Sequence, residues 1–219
     1  MCYTIEINFT REEVEKRFGS KLKNKDEFVK GRKISAFSLP KIPVISSENP
    51  ELIDLMTWGL IPSWTRNEED AKSIRLKTFN AKAETLGVKP SFRISLRKKR
   101  CMVLVNGFYE WQHIGKKKIP YFIALKDQAV FALAGLYDDW TNENTGEYFR
   151  TFTVITTPAN PMMEVIHNTK KRMPAILPPK AERDWLDLKV DPSELNSFLK
   201  PYDEKLMIAE KIESQGSLF

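Results

Sequence analysis

Apolar and polar residues alternate at the start of this chain and through much of its second half. In residues 2–8, Tyr3, Ile5 and Ile7 recur at every second position, which predicts a strand that begins at the first residues. From Arg100 onward, short polar segments separate the apolar runs CMVLVNGFYEW, PYFIALK, AVFALAGLYDDW and YFRTFTVITT. HIGKKK and TNENTGE are the clearest of these segments, and the spacing predicts a meander of β-hairpins.

Several other segments carry signals for helices or edge strands. Thr10 and Glu13 form a capping-box pattern, which predicts a short helix through about Gly19. PMMEVIHN predicts a helix with Pro161 near its start, and AERDWLD and PSELNSFLK predict two more helices near the C-terminus. The prolines of SLPKIPVI predict an edge strand, because proline cannot donate a ladder hydrogen bond.

The elements predict one α+β domain. The chain has 219 residues, 42% of them hydrophobic and 29% charged, which is typical of a folded globular protein. Thirteen Phe, five Trp and six Tyr supply the bulk of a sizeable core. The sequence has no internal repeat and no break in composition, so a single domain is the simplest organisation.

The net charge of +6 is compatible with an anionic partner but does not require one. Cys2 and Cys101 lie far apart, and with His113 and His167 they make a poor zinc-ligand set. A disulfide framework is not expected at this length, which favours a reducing compartment. Neither a signal peptide nor a membrane-length apolar run is present, so the sequence predicts a soluble intracellular protein.

Cys2 is the most informative position. Removal of Met1 would leave an N-terminal residue whose α-amine and thiol sit on adjacent carbons. The reference pKa of such an amine, about 7.7–8.0, leaves a nucleophilic fraction near neutral pH. An aldehyde can condense with the amine, and the thiol can then close a thiazolidine ring in an intramolecular step. The alternative is that Cys2 is only the first residue of a strand.

Three further polar residues are candidates for the same chemistry. Glu110 lies in the apolar run NGFYEW, where burial would raise the pKa of its carboxyl and suit it to acid–base catalysis. His167 follows an apolar run and could transfer protons near neutral pH, and Asn80 in FNAKAET could hold the Cys2 amine or thiol. The alternatives are an outward-facing Glu110, a capping or surface His167, and an Asn80 with no special role.

Aromatic and basic residues could together contact nucleic acid. Trp58 and Trp64 could stack on unpaired bases, and Lys82, Arg93 and Arg172 could contact phosphates. The alternatives are core packing for the tryptophans and a solvated surface for the cations.

The commoner catalytic motifs are absent. The sequence contains no GxSxG, HExxH, P-loop or GxGxxG motif. This excludes the common serine hydrolase, metalloprotease and nucleotide-binding classes, and the sequence predicts neither a metal nor a cofactor.

Several blocks of the sequence occur in the order of one known family, from residue 1 to about 190. They are Met1-Cys2, WGLIPSW (58–64), FNAKAET (79–85), SFR (91–93), RCMVLVNGFYEW (100–111), FALAGLYDDW (131–140), TVITTPAN (153–160), and His167 with RMPAIL (172–177). On these blocks the chain resembles the SRAP family, the SOS-response-associated peptidases, which are also described as abasic-site processing proteins. Each block alone is weak evidence, whereas the ordered set is specific.

The resemblance implies a compact, β-rich α+β fold of antiparallel, barrel-like sheets with peripheral helices, and a positively charged groove that ends at the catalytic cysteine. It implies that Met1 is lost by self-processing and that Cys2 then forms a thiazolidine with the ring-opened deoxyribose of an abasic site. Asn80 would position Cys2, and Glu110 would manage protons. His167 would help to open the sugar ring and, in reverse, to release the crosslink.

Two departures from the family pattern concern phosphate contacts. Lys82 stands where the family usually has an arginine, which keeps the charge but loses the bidentate fork. Tyr3 and Thr4 follow Cys2 where Gly-Arg is usual, so one expected phosphate contact is missing.

Two further departures concern the spacing of loops. SAFSLPKIP replaces the usual Tyr-Asn-x-Ala-Pro-Thr block, so a contact of Pro40 or Pro43 with DNA stays open. Four residues separate His167 from Arg172 where one is usual, so the contact of Arg172 with the same phosphate also stays open.

The leading hypothesis is an abasic-site sensor that binds single-stranded DNA and crosslinks to it through Cys2 in the DNA-damage (SOS) response. The alternatives are a thiol peptidase that acts on proteins with Cys2, His167 and Glu110, and a non-catalytic single-stranded DNA-binding protein. The sequence further predicts one domain over residues 1–219 with a helical extension over 191–219. A monomer is expected, in the cytoplasm and associated with the nucleoid when engaged on DNA.

Overall fold

The computed structural model describes residues 2–23, 30–191 and 193–212. Met1 and residues 213–219 of the predicted C-terminal extension lie outside the described residues. Across the three described ranges, no helix is both long and apolar enough to cross a membrane.

The strands account for most of the regular structure. Their bounds are β1 (Thr4–Ile7), β2 (Lys21–Leu22), β3 (Gly31–Ser35), β4 (Lys41–Ser46), β5 (Leu52–Trp58), β6 (Asn80–Lys82), β7 (Arg100–Val105), β8 (Gly107–Ile114), β9 (Lys117–Leu125), β10 (Phe131–Thr141), β11 (Tyr148–Pro158), β12 (Arg172–Pro174), β13 (Ile176–Leu177) and β14 (Met207–Lys211). Most pairs are antiparallel, whereas β2–β5, β5–β11 and β6–β11 are parallel.

Five strands close into a barrel. The order β11-β10-β7-β4-β5 is joined at its ends by the parallel pairing of β5 with β11, where Thr57 lies opposite Thr151 and Trp58 opposite Phe152. β7 is buried at all six positions, because it lies between β4 and β10 and faces apolar side chains on both sides. The barrel interior therefore forms the main core.

A second sheet packs beside the barrel in the order β14-β9-β8-β1-β3. The chain crosses from the barrel to this sheet at Asn106, between β7 and β8. The Asn106 side chain accepts from Asn8 N at 2.5 Å and donates to the Ala129 carbonyl at 2.6 Å. These bonds fix the crossing point, and with it the start of β8.

Short helices lie outside the two sheets. Their bounds are α1 (Arg11–Phe18), α2 (Glu68–Arg75), α3 (Arg93–Lys98), α4 (Pro161–Ile166) and α5 (Glu182–Leu186). The predicted capping box is confirmed, since Thr10 and Glu13 exchange both hydrogen bonds and α1 ends at the left-handed Gly19. The prediction for PMMEVIHN is also confirmed, with Asn160 as the N-cap before Pro161. The fold is thus the single β-rich α+β domain that was expected.

Three predictions of local structure are wrong. SLPKIPVI contains no edge strand, because β4 lies between β5 and β7; Pro43 is tolerated because pairing with β7 begins only at Val44. The run CMVLVNGFYEW is two strands in different sheets rather than one arm of a hairpin. Within residues 193–212, the expected helix shrinks to a 3-10 turn at Leu195–Ser197, and β14 extends the second sheet along β9.

A substitution at Gly107 tests how the start of β8 is held. A Cβ atom there would lie 2.4 Å from the Phe122 ring and 2.6 Å from the Ile123 carbonyl oxygen, so the backbone of β9 would have to move. Gly107→Ala is expected to lower the free energy of unfolding by about 1–3 kcal/mol in urea titrations, as overpacking does. Gly87→Ala is the matched control, because a Cβ there meets nothing within 4 Å. Equal stability of the two variants would contradict this account of the strand crossing.

Candidate active site

Cys2 lies just before β1, where the two sheets meet. Its side chain is wholly buried, and Sγ lies 4.0 Å from the Thr4 carbonyl oxygen. Burial raises the pKa of the thiol above its usual value, and the nearby negative charge of Glu110 raises it further. The thiol is therefore held in its protonated form at neutral pH.

Asn80 connects Cys2 to the barrel. It begins β6, which runs parallel to β11 with Asn80 opposite Val154. Asn80 Nδ2 donates to the Cys2 carbonyl oxygen at 2.8 Å, whereas the buried Asn80 Oδ1 has no hydrogen-bond partner among the described residues. A backbone carbonyl held in this way fixes the position of the Cys2 main chain, and the amide oxygen is left to accept one more donor.

Glu110 lies on β8 with its side chain inside the protein. The residue is only 4% exposed, which excludes the outward-facing alternative. Phe108 and Tyr109 beside it are buried too, because β8 is covered on both faces at this point. Desolvation raises the pKa of the Glu110 carboxyl to about 7. A carboxyl with this pKa can both give and take a proton near neutral pH.

His167 ends α4, and its ring is held by backbone on one side. Nδ1 lies 2.7 Å from the Arg172 carbonyl oxygen. Because a carbonyl oxygen can only accept, Nδ1 carries the proton, and Nε2 of the neutral ring is the free-base nitrogen. Nε2 lies 3.8 Å from Glu110 Oε2, and burial lowers the pKa of the imidazole. Burial thus favours a neutral carboxyl beside a neutral imidazole.

An open cavity of about 510 Å³ gives access to these two side chains. Its wall is formed by Tyr3, Glu110, Trp111, His113, Lys118, His167, Thr169 and Lys170. A substrate carbonyl in this cavity would meet a proton donor on one wall. In the described residues, no three His, Cys, Asp or Glu side chains are placed to bind a metal ion.

Two residues predicted to contact phosphates, Lys82 and Arg93, line basic cavities, and the cavity of Lys82 includes a candidate site residue. Lys82 lines a cavity of about 450 Å³ that also contains Asn80, with Lys77 and Lys89 as its other cations. Arg93 lines a second cavity of about 520 Å³, in which Arg97 and Lys98 are the other cations. Cations that share a wall with Asn80 are suited to an anionic strand that approaches Cys2.

Arg172 is engaged within the protein. Its guanidinium donates to both carboxylate oxygens of Glu84, at 2.6 and 2.9 Å, and to the Thr156 carbonyl oxygen at 2.5 Å. A phosphate contact would have to displace Glu84. The Arg172 carbonyl oxygen lies 2.7 Å from His167 Nδ1, so the backbone of this residue positions the imidazole.

Trp58, Trp64 and Pro43 occupy different environments. Trp58 has no exposed surface and donates Nε1–H to the Phe79 carbonyl at 2.9 Å, so the packing alternative holds for it. Pro43 is buried within β4 and offers no surface to a ligand. Trp64 is 49% exposed on a loop anchored by the bond from Ser63 N to Asp138 at 2.9 Å, so one of the two tryptophans is available for stacking.

Sequence reasoning missed several residues at the site. Tyr3 lines the cavity with Glu110 and His167, although the sequence marked it only as a strand residue and as a departure from the family pattern. Lys77 and Lys89 line the same cavity as Lys82. In the sequence they are spaced like lysines on an ordinary solvent-exposed surface. A single sequence therefore gives no signal that distinguishes these two lysines from the other lysines of the chain.

Comparisons with known proteins place the chain in a family. The model of the SOS response associated peptidase (SRAP) family matches residues 1–215. The chain is 43% identical over 175 residues to the abasic site processing protein YoqW of Bacillus subtilis, across 79% of this chain and 75% of that one. It is 39% identical over 161 residues to the abasic site processing protein HMCES of Xenopus tropicalis, across 65% of this chain and 47% of the relative.

A solved structure supports the same assignment at the level of the fold. The crystal structure of a protein from Bacteroides thetaiotaomicron superimposes with a TM-score of 0.91 and 41% identity, across 97% of this chain and 92% of that one. With the family model matching almost the whole length, the chain belongs to the SRAP family of SOS response associated peptidases.

Proposed function

We propose that this protein processes abasic sites in single-stranded DNA by forming a covalent thiazolidine through Cys2 after Met1 is removed. The observation that carries the proposal is the hydrogen bond of 2.8 Å from Asn80 Nδ2 to the Cys2 carbonyl, beside the buried pair of Glu110 and His167. It fixes the main chain of a residue whose amine and thiol must meet one carbon. The names of the relatives supply the substrate class.

The first step uses the Cys2 amine. Its nitrogen lone pair attacks the C1′ aldehyde of the ring-opened deoxyribose and gives a carbinolamine. Loss of water then leaves the protonated imine, because the leaving oxygen takes a proton while the nitrogen keeps its own. Glu110, with its pKa raised to about 7, supplies this proton as a general acid.

The second step closes the ring. The Cys2 sulfur adds to C1′ of the protonated imine, the C=N π electrons become the nitrogen lone pair, and the thiol loses its proton. Because burial keeps the thiol protonated, a base is needed, and the carboxylate that Glu110 became in the first step can take this proton. The net reaction joins an aldehyde and an aminothiol to a thiazolidine and one water, so Glu110 ends as it began.

We assign His167 to proton transfer during opening of the sugar ring rather than to the reactions of Cys2. Ring opening of the closed deoxyribose needs the O1′ proton removed and the ring oxygen protonated. The neutral His167 ring presents Nε2 as a base, and Glu110 at 3.8 Å is a nearby source of the returning proton. The same pair would act in reverse when the crosslink is released.

The state of the thiol argues against the peptidase alternative. A cysteine that attacks peptide bonds in trans acts as a thiolate, which requires a lowered pKa and access to substrate. Here burial raises the pKa of the Cys2 thiol, so the thiolate is disfavoured. This property favours attack by the amine first, with sulfur following within the bound intermediate.

Replacement of Cys2 tests the covalent step. Cys2→Ala keeps an N-terminal amine but removes the sulfur, so it is expected to abolish the adduct that survives denaturation while leaving single-stranded DNA binding within about twofold. Cys101→Ala is the matched control, because Cys101 is equally buried and lies within β7. Abasic oligonucleotide, denaturing electrophoresis and the intact mass of each protein give the readout. A stable adduct in Cys2→Ala at wild-type yield would refute the assignment.

The pH dependence of crosslinking tests the role of Glu110. Its raised pKa keeps the acid form present up to pH about 7 and removes it above that. The free amine increases up to its reference pKa of about 7.7–8.0, so the rate is expected to pass through a maximum between the two values. Glu110→Gln is expected to slow single-turnover crosslinking by roughly 10²–10⁴-fold and to lose the falling limb above pH 7. A falling limb that persists in this variant would assign the acid to another group.

Salt dependence tests the basic cavity beside Asn80. Removing one cation that contacts a phosphate reduces the slope of log K against log salt by about 0.7 on a single strand. Lys82→Gln is expected to show this change with fluorescent single-stranded DNA, whereas Lys189→Gln, an exposed lysine beyond α5, is not. An unchanged slope for Lys82→Gln would place the strand elsewhere.

A further inference from the structure

Three aromatic rings form a cluster directly beside the candidate site. The Tyr3 and Phe37 ring centroids lie 5.2 Å apart with the planes tilted by 37°. Phe37 and Phe79 lie 5.2 Å apart at 73°, and Tyr3 and Phe79 lie 6.2 Å apart at 87°. Tyr3 follows Cys2 and Phe79 precedes Asn80, so two of the rings are one residue away from the candidate site residues.

The three rings of the cluster differ in exposure, and Tyr3 is partly buried. Phe79 is 1% exposed, whereas Phe37 is 63% exposed. Phe37 is therefore a large apolar ring that faces solvent while its edge contacts a buried ring. An isolated exposed phenylalanine needs no explanation, but this one packs against Tyr3 and Phe79, which flank Cys2 and Asn80 in the sequence.

The backbone holds Phe37 in place. It lies in a 3-10 turn, Ala36–Ser38, in which the Ser35 hydroxyl accepts from Phe37 N at 3.3 Å and Ser38 Oγ donates to the Ser35 carbonyl at 2.8 Å. The turn ends at Leu39 with φ of +51°, a left-handed conformation that is unfavourable for leucine. Ala36 N also donates to the Tyr3 carbonyl at 2.8 Å, which ties this turn to the strand of Cys2.

We infer that Phe37, supported by Tyr3 and Phe79, is a stacking platform for a nucleobase next to the abasic nucleotide. This rests on the proposed function. Aromatic side chains stack on bases of single strands with little dependence on sequence, because every base has a π face. Beside an abasic site, a neighbouring base has lost one of its stacking partners, so it is cheaply unstacked and can pair with a protein ring instead.

The platform would act by orientation. A base held on Phe37 fixes the adjacent backbone, and the abasic sugar is carried toward the Cys2 side of the cluster. Tyr3 also lines the cavity that contains Glu110 and His167, so the ring cluster and the proton-transfer groups border one space. Phe37 would thus raise the rate of capture without touching the reacting atoms, as a positioning residue.

The experiment is a double-mutant cycle that combines a change of the Phe37 side chain with removal of the neighbouring DNA bases. Single-turnover crosslinking at subsaturating protein is measured for wild type, Phe37→Ala and Phe37→Trp on two oligonucleotides. Both carry one abasic deoxyribose, and the second has a baseless tetrahydrofuran residue on each side of it. Leu188→Ala, which removes another exposed apolar side chain beyond α5, is the matched control.

On the first oligonucleotide, Phe37→Ala is expected to slow capture by about 5- to 100-fold, which is the range that base–aromatic stacking supplies. Phe37→Trp and Leu188→Ala are expected to stay within about threefold of wild type. On the second oligonucleotide the difference between wild type and Phe37→Ala is expected to vanish.

Each other outcome has a distinct meaning. An equal loss for Phe37→Ala on both oligonucleotides would overturn the inference, because the ring would then only support the fold around Cys2. No loss on either would overturn it as well, provided that wild type forms the adduct. If wild type forms no adduct on the first oligonucleotide, the proposed function fails, and the platform fails with it.

Discussion

Burial of one carboxyl at the seam of two sheets is the constraint on which the site depends. Glu110 is desolvated because β8 is covered on both faces, and desolvation holds its pKa near 7 rather than in the range of an exposed glutamate. The same dry environment keeps the Cys2 thiol protonated and the His167 ring neutral. One packing arrangement thus shifts the pKa of all three groups toward the uncharged form, and it brings Glu110 to a value at which the carboxyl can both give and take a proton near neutral pH.

The barrel and the second sheet contribute different parts of this arrangement. Strand β6, which supplies Asn80, pairs with barrel strand β11. The second sheet supplies the backbone next to Cys2 and the side chain of Glu110. A single hydrogen bond from Asn80 crosses between them. The crossing at Asn106 sets where β8 begins, and therefore which residue of NGFYEW lies at the seam. Local sequence chemistry at one junction thus decides where an acid is placed.

Much of the local structure was predictable, because it follows from short-range chemistry. The capping box of α1 and the Asn-Pro start of α4 are complete within a few residues of chain. The position of β4 was not, since the proline rule describes a strand in isolation and the partner β7 lies far away in sequence. The sequence and the family resemblance indicated Cys2, Asn80, Glu110 and His167 as candidates, whereas their burial and spacing depend on the packing of the two sheets and are tertiary properties.

The same distinction explains which DNA contacts a sequence can suggest. Trp58 and Trp64 flank one motif, yet the first is a core ring at the end of β5 that bonds to Phe79, and the second is half exposed on the loop that follows. Phe37 drew no attention in the sequence, since one phenylalanine in a loop carries no pattern. The proposed role of Phe37 in stacking depends on its contacts with the Tyr3 and Phe79 rings, which lie next to Cys2 and Asn80 in the sequence. A rigid exposed ring costs less conformational entropy on binding than a mobile one, so the packing behind a contact surface contributes to recognition as much as the surface itself.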